Sequence, residues 1–206
     1  YADAYAGRFW GDLSASLGRV GSGYLLAVIP GVALGLASGR SPALASLLSP
    51  IINGARAVPG ISWLPLALLW LGIGFRATVF LIALAGFFPA YLNAAAGAAS
   101  VPPVLIRAGR MLGFGRRAIF FRVVIPSAMP QVRTGLRVAL GMSFSYLVLG
   151  ELTGVPDGLG AMIMDARLAG RVELVSGIIL IALVGWLCDV LLMRALSAVS
   201  VSLRRQ

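Results

Sequence analysis

Seven carboxylates, seventeen arginines and one thiol are the only side chains in this chain that could hold or move a charge near neutral pH. Paired-carboxylate acid/base chemistry needs two acids close together. The chain carries none between Asp12 and Glu151, so a pair would have to come from Glu151, Asp157, Asp165, Glu173 and Asp189. All 17 basic residues are Arg. Without Lys there is no Walker-type phosphate loop, whose lysine reaches the terminal phosphates of ATP, and no Schiff base. His is also absent, which removes the Ser-His-Asp relay, the imidazole metal ligand and the imidazole pH switch. Cys188 alone makes neither an internal disulfide nor a thiolate zinc cluster. No catalytic, cofactor-binding or metal-binding residue is expected.

The arginines carry more information through their positions. Arg107, Arg110, Arg116, Arg117 and Arg122 fall within the stretch 101–130, with Arg133 and Arg137 close behind. That stretch is too polar and too interrupted to cross a bilayer. Its segment 106–121 has strong helical potential, with Gly113 and Gly115 at the middle, so two short helices joined at a glycine turn are expected.

The elements that would position this segment are apolar. The chain is 59% hydrophobic and 12% charged, with a mean hydropathy of +0.94, far from a soluble domain. A basic excess of +10 could point to nucleic acid, but that footprint needs a soluble basic face with exposed aromatics. Here the arginines sit between apolar stretches, and no nucleic-acid partner is expected. A hydrocarbon core of about 30 Å needs roughly 20 apolar residues per helix. Five spans are expected, at about 21–38, 58–72, 77–99, 130–152 and 174–196. The second is short and interrupted by Pro59, Pro65 and Gly72, which predicts a bend. Arginine-rich loops stay in the cytoplasm, so the 101–130 loop is expected inside, together with Arg40, Arg56, Arg194, Arg204 and Arg205. The outer side then receives Arg76, Glu151, Asp157, Asp165, Arg167, Arg171 and Glu173, and residues 1–20 as an interfacial helix with Phe9, Trp10, Leu13, Leu17 and Val20 on its apolar positions. Gly31, Gly35 and Gly39 recur every four residues, as a close helix contact requires. The chain begins at Tyr1, and a start further upstream, with one more span, is expected.

The 101–130 loop resembles the signature of binding-protein-dependent ABC importer permeases. That signature reads Glu-Ala-Ala, three residues, Gly, nine residues, then Ile-x-Leu-Pro. The aligned run is Arg107-Ala108-Gly109, Gly113 and Val123-Val124-Ile125-Pro126. Spacing matches throughout, while Arg107 replaces Glu and Gly109 replaces Ala. Further runs are similar to the taurine, alkanesulfonate and nitrate permeases: Ser14-Ala-Ser-Leu-Gly-Arg19, Arg56-Ala-Val-Pro-Gly-Ile-Ser-Trp-Leu-Pro65, Trp70-Leu-Gly-Ile-Gly74, Thr134-Gly-Leu-Arg137, Glu151-Leu and Gly158-Leu-Gly160. Together they cover almost the whole chain.

The resemblance implies an all-α, polytopic type I ABC importer transmembrane domain in a bacterial cytoplasmic membrane, with five spans and a cytoplasmic coupling helix. It implies one permease domain over residues 21–206 with a coupling loop at 101–130. It also implies a second permease copy as homodimer or close heterodimer, a cytoplasmic ATPase dimer that holds the ATP and Mg, and an extracytoplasmic solute-binding protein. Arg107, Ala108, Gly109, Arg110, Met111, Leu112, Gly113, Phe114, Gly115, Arg116, Arg117 and Ala118 are carried over as the ATPase contact. Arg110, Arg116 and Arg117 could pair with acids there, and Met111, Leu112 and Phe114 could fill an apolar groove; the alternative for the arginines is plain retention beside lipid headgroups. Pathway candidates are Asn93, Ser143, Ser145 and Tyr146 within the spans, and Glu151, Asp157, Arg167 and Arg171 at the outer mouth. Glu151 could equally be paired structurally with Arg167 or Arg171, and Asp189 with an arginine. An anionic sulfonate such as taurine leads as solute, with nitrate, bicarbonate or a vitamin precursor as alternatives. The alternative, a secondary transporter or channel subunit, would show inverted repeats or intramembrane charges driving ion coupling, whereas the sequence has no repeat and few charges within its spans.

Overall fold

The computed structural model describes residues 2–170 and 173–204, and side chains within 8–170 and 175–197. Tyr1, Arg171 and Arg205, and the side chains of Glu173 and Arg204, lie outside that description. The described chain is helical: α1 (Ala2–Arg40), α2 (Pro42–Ala57), a tight 3-10 turn (Gly60–Trp63), α3 (Leu64–Leu71), α4 (Phe75–Ala99), α5 (Pro103–Met111), α6 (Arg116–Ile119), a π-helical turn (Phe120–Val124), α7 (Ile125–Glu151), α8 (Leu159–Leu168) and α9 (Glu173–Arg204).

Local chemistry sets the ends of these helices. The Ser41 hydroxyl accepts from the Leu44 amide at 3.3 Å and Pro42 opens the first turn, a sound N-cap for α2. That helix stops at Val58 because Pro59 lacks an N–H and drives Val58 into extended backbone. The two arms on either side of the break meet at 88°. The bend predicted from Pro59 is therefore real, but α2, the arm before it, was not anticipated as a helix.

Glycine and alanine form the central seam. Gly31 backs onto Ala90, Gly35 onto Tyr91 and Ala94, and Gly39 onto Ala95 and Ala98, so α1 and α4 run parallel at close range. On the other side of α4, Gly97 meets Ala128, Gly135 meets Asn93 and Gly150 meets Thr78, which makes α7 antiparallel. In turn α9 runs antiparallel to α7, with Gly185 on Phe144 and Arg137 on Asp189. These directions put Arg40, α5, α6 and Arg194 at one end of the bundle and Asp157, Asp165 and Arg167 at the other. The α2–α3 pair carries the chain from the first end back toward the second.

Three helices are long and apolar enough to cross a membrane, Arg8–Arg40, Phe75–Ala99 and Val175–Ser197, and the bent pair would make a fourth. The expected count of five is thus not reached on length and apolarity alone. The helix α7 is long enough at 27 residues, but Arg133, Arg137 and Glu151 lie along it. A second difference concerns the N-terminus. The boundary expected after residue 20 has no counterpart, because α1 is a single unbroken helix. Its 33-residue apolar stretch reaches about 50 Å at roughly 1.5 Å per residue, more than a bilayer core requires.

A side chain at Gly35 would place its Cβ 2.5 Å from the Tyr91 carbonyl oxygen, so Gly35→Val should lower the thermal unfolding midpoint in detergent, with a cost of about 1–3 kcal/mol from overpacking. At Gly54 a Cβ meets nothing within 4 Å, and Gly54→Ala should leave that midpoint unchanged or slightly higher.

Candidate functional site

Residues 103–124 form an elbow at one end of the bundle. The α5 helix closes in a Schellman motif, with the Phe114 amide donating to the Gly109 carbonyl and the Gly113 amide to the Arg110 carbonyl, each at 3.0 Å. Gly113 has φ +78, a conformation that costs a residue with a Cβ roughly 1–2 kcal/mol. Phe114 packs back toward Gly109, whose Cβ position would lie 3.7 Å from the ring, and the Arg122 guanidinium sits 5.5 Å from the centre of that ring. Ile106 and Ile119 are buried beneath the turn in one cluster with Ala98, Val124 and Ala128, which ties the elbow to α4 and α7. The expected second short helix does not stand alone. From α6 the chain runs through the π-helical turn directly into α7, with Pro126 in the first turn of α7 and Pro130 inside it.

What the elbow presents is mixed. Arg107, Ala108, Arg110, Gly113, Gly115, Arg116 and Arg117 are exposed, Phe114 and Ala118 are half-buried and Gly109 is buried. Met111 is 88% exposed and Leu112 73%. Two large apolar side chains flanked by four arginines that make no ion pair among the described residues form a surface suited to an apolar groove with an acidic rim.

At the opposite end lies a buried polar clasp. Glu151 is fully buried and accepts from the Ser16 hydroxyl at 2.7 Å, Arg19 Nη1 at 2.7 Å and the Gly160 amide at 2.8 Å. Arg19 Nη1 also donates to the Asp157 carbonyl at 2.9 Å, and its Nη2 is paired with Asp157 Oδ1. The Asp12 carboxylate takes the Gly158 amide at 2.9 Å, while the Ser16 hydroxyl accepts from the Leu159 amide at 2.9 Å. The free amides at the start of α8 thus receive two carboxylates and a hydroxyl, which satisfies both the donors and the helix dipole. Glu151 is paired with Arg19 and Ser16 from α1 and not with Arg167, while Arg171 lies outside the described residues. Asp12, Ser16 and Arg19 form a polar stripe at helical spacing along an apolar helix, and that pattern could have revealed the clasp from sequence.

Between the two ends, a cavity of ≈ 490 Å³ lies where the α2–α3 bend meets α4 and α7. This volume falls within the range of about 300–1,000 Å³ usual for small-molecule sites. Arg56, Trp63, Phe88, Asn93, Met142 and Tyr146 are among its lining residues. Of the pathway candidates, Asn93 and Tyr146 come together here. Ser143 and Ser145 do not, since each donates back into its own helix, to Ala139 at 2.8 Å and Gly141 at 3.2 Å. Asp157 belongs to the clasp, Asp189 is held by Arg137 at 2.8 Å, and Arg133 donates to the Leu196 carbonyl at 2.7 Å. Arg133 and Arg137 therefore join α7 to α9. Arg56, expected at the cytoplasmic margin, reaches the cavity wall at the level of Leu84–Asn93, a stretch that brackets the middle of α4.

The sequence matches the family of binding-protein-dependent transport system inner membrane components over residues 31–205. The chain belongs to this family. It is 42% identical over 87% of its length to the taurine transport system permease protein TauC of Escherichia coli (strain K12), and covers 66% of that protein. It is 36% identical over 89% of its length to the putative aliphatic sulfonates transport permease protein SsuC of Bacillus subtilis (strain 168), covering 67%. To the nitrate import permease protein NrtB of Leptolyngbya laminosa it is 36% identical over 90%, covering 66%. The chain therefore spans about two thirds of the length of these curated relatives. The fold is that of a type I ABC importer transmembrane domain. It resembles a chain of the inward-facing MetNI methionine ABC transporter, with a TM-score of 0.76, 20% identity and coverage of 91% of this chain and 94% of that one. It also resembles a chain of an amino acid ABC transporter crystallised with histidines, with a TM-score of 0.71, 20% identity and coverage of 100% and 97%. As a multi-pass inner-membrane component, this family member keeps its clasp at the end of the bundle remote from the elbow.

Removing one partner of the clasp strands the other in a buried setting. Glu151→Ala should destabilise the folded protein by roughly 3–5 kcal/mol, seen as a lower unfolding midpoint in detergent. Arg19→Met combined with Glu151→Met should unfold at a higher temperature than Glu151→Ala alone, because no unpaired buried charge remains.

Proposed function

We propose that this chain is the membrane-spanning permease subunit of an ATP-driven importer, moving a small solute inward under the drive of a separate ATPase. The elbow is the observation that carries this reading. A glycine-capped turn whose exposed face holds Met111, Leu112 and four unpaired arginines, and whose buried face is fastened to α4 and α7, is built to receive a push from outside the bilayer. In this reading residues 107–118 seat in a groove of the ATPase, and α7 transmits its displacement through the bundle. ATP and Mg belong to that partner, and a second permease copy completes the pathway. An extracytoplasmic solute-binding protein delivers the solute. The named relatives favour a small anion, with a sulfonate such as taurine first and nitrate, bicarbonate or a vitamin precursor as alternatives.

Co-purification of the chain with the ATPase, expressed together and extracted in mild detergent, tests the proposal. Gly113→Val should reduce ATPase capture about ten-fold or more by breaking the α5 cap, which leaves Arg110 and Gly109 carbonyls unsatisfied. Gly113→Asn, which tolerates the left-handed conformation better, should retain most of it. Undiminished capture by Gly113→Val, with its loss of helix capping verified by limited proteolysis at the turn, would remove the elbow as the coupling element.

A further inference from the structure

We infer that the cavity at the α2–α3 bend is an anion-binding site, in which the Arg56 guanidinium meets the charge of a small solute and Asn93 and Tyr146 offer neutral hydrogen bonds to it. This rests on the permease reading and deepens it by placing a contact for solute charge inside the bundle.

Charge accounting comes first. Every carboxylate whose side chain is described is already held by another arginine: Asp12 and Asp165 face Arg8, Glu151 and Asp157 face Arg19, and Asp189 faces Arg137. Arg56 has no ion-pair or hydrogen-bond partner among the described residues, and no carboxylate lines its cavity. Among the described side chains, the other arginines without a salt bridge sit toward the ends of the bundle or donate to a carbonyl, as Arg133 does. Arg56, itself exposed on the open side of the cavity, lines it together with residues 84–93 of α4 and 138–146 of α7, which bracket the middle of both helices. A bare guanidinium at that depth is tolerated where it faces a water-filled cavity or an anion. The cleft between α7 and α9 makes the contrast, since its Arg137 is already neutralised by Asp189.

The rest of the cavity is built to match. The bend can approach α7 because residue 60 is a glycine, and a Cβ there would fall 1.4 Å from the Tyr146 hydroxyl. That hydroxyl has no partner among the described residues and borders the cavity. Asn93 uses one amide proton on the Pro89 carbonyl at 2.9 Å, which leaves its second proton and its carbonyl oxygen for a ligand. Trp63 and Phe88 supply apolar wall for a short carbon chain. The planar guanidinium fork suits a sulfonate, nitrate or carboxylate. It sits at the break of a helix pair, where membrane transport folds often place their solute contacts. A lipid phosphate shares the same chemistry and has to be separated by experiment.

Trp63 provides the reporter. In the full chain with Trp10, Trp70 and Trp186 changed to Phe, purified in a neutral maltoside detergent, iodide should quench Trp63 several-fold more strongly than in the Arg56→Gln derivative. Acrylamide, a neutral quencher, should act equally on both, which also shows that the variant keeps its fold around Trp63. Arg56→Lys should restore most of the iodide effect, and Arg76→Gln, which removes a charge away from the cavity, should not change it. Millimolar ethanesulfonate should protect Trp63 from iodide with or without added phosphatidylglycerol. Equal iodide quenching with and without Arg56, or protection by phosphatidylglycerol but not by ethanesulfonate, overturns the inference. Failure of the ATPase to co-purify, with the iodide preference intact, would instead count against the permease reading and leave the anion site standing.

Discussion

The close approach of α4 to its two neighbours is the constraint on which the rest of this molecule depends. Lipid tails are as apolar as leucine, so burial gives little reason for helices to associate in a bilayer, and van der Waals contact between backbones has to do it. The glycines and alanines of α1, α4 and α7 supply that contact on both sides of α4. A slab of three helices results, rigid enough to hold the elbow at one end, the clasp at the other and the cavity against one face. Gly35 and Gly39 leave so little room that a single added methyl would strike a backbone carbonyl, which makes the register of α1 on α4 discrete.

Within that slab, α7 is the element that touches everything. It emerges from the elbow through the π-helical turn at Phe120–Val124, borders the cavity with Val138, Met142 and Tyr146, and ends at Glu151 in the clasp. A π-helical turn puts an extra residue into the helical repeat and marks a place where a helix can be re-aimed. It stands here between the arginine-bearing turn and the start of α7. The clasp fastens the far end of the same helix to α1 and α8 through three polar contacts on one carboxylate. A displacement entering at the elbow under the permease reading is therefore met by a fixed point, and the helix between them borders the solute cavity.

The electrostatic pattern is equally economical. Carboxylates are scarce, and each described one is spent on an arginine or on the free amides of α8. Positive charge left over is found toward the ends of the bundle, the elbow included, and at Arg56, which lines a cavity. Charge at an end of the bundle needs no counter-ion, since an exposed arginine costs little there. Charge at mid-depth needs one, because moving an arginine to the centre of a membrane helix costs about 2.5–3.5 kcal/mol even on lenient scales.

Much of this was legible in the amino-acid sequence, because it depends on neighbours along the chain. Absent Lys and His exclude whole chemistries wherever the chain folds. Pro59 predicts the bend, Gly113 predicts the turn, the arginine cluster predicts a loop outside the bilayer, and Gly31, Gly35 and Gly39 predict a close helix contact. Contacts between distant residues were not legible. Glu151 could have been assigned to Arg167 or Arg171 as reasonably as to Arg19, which lies 132 positions away, and nothing in local spacing distinguishes them. Arg56 looked like one more arginine of the inner margin, until the fold of α2 carried it to the wall of a cavity. Backbone geometry and side-chain type act over one or two helical turns and so can be read directly, whereas which charges meet, and at what depth, is decided only when the close-packed seam brings helices from opposite ends of the sequence together.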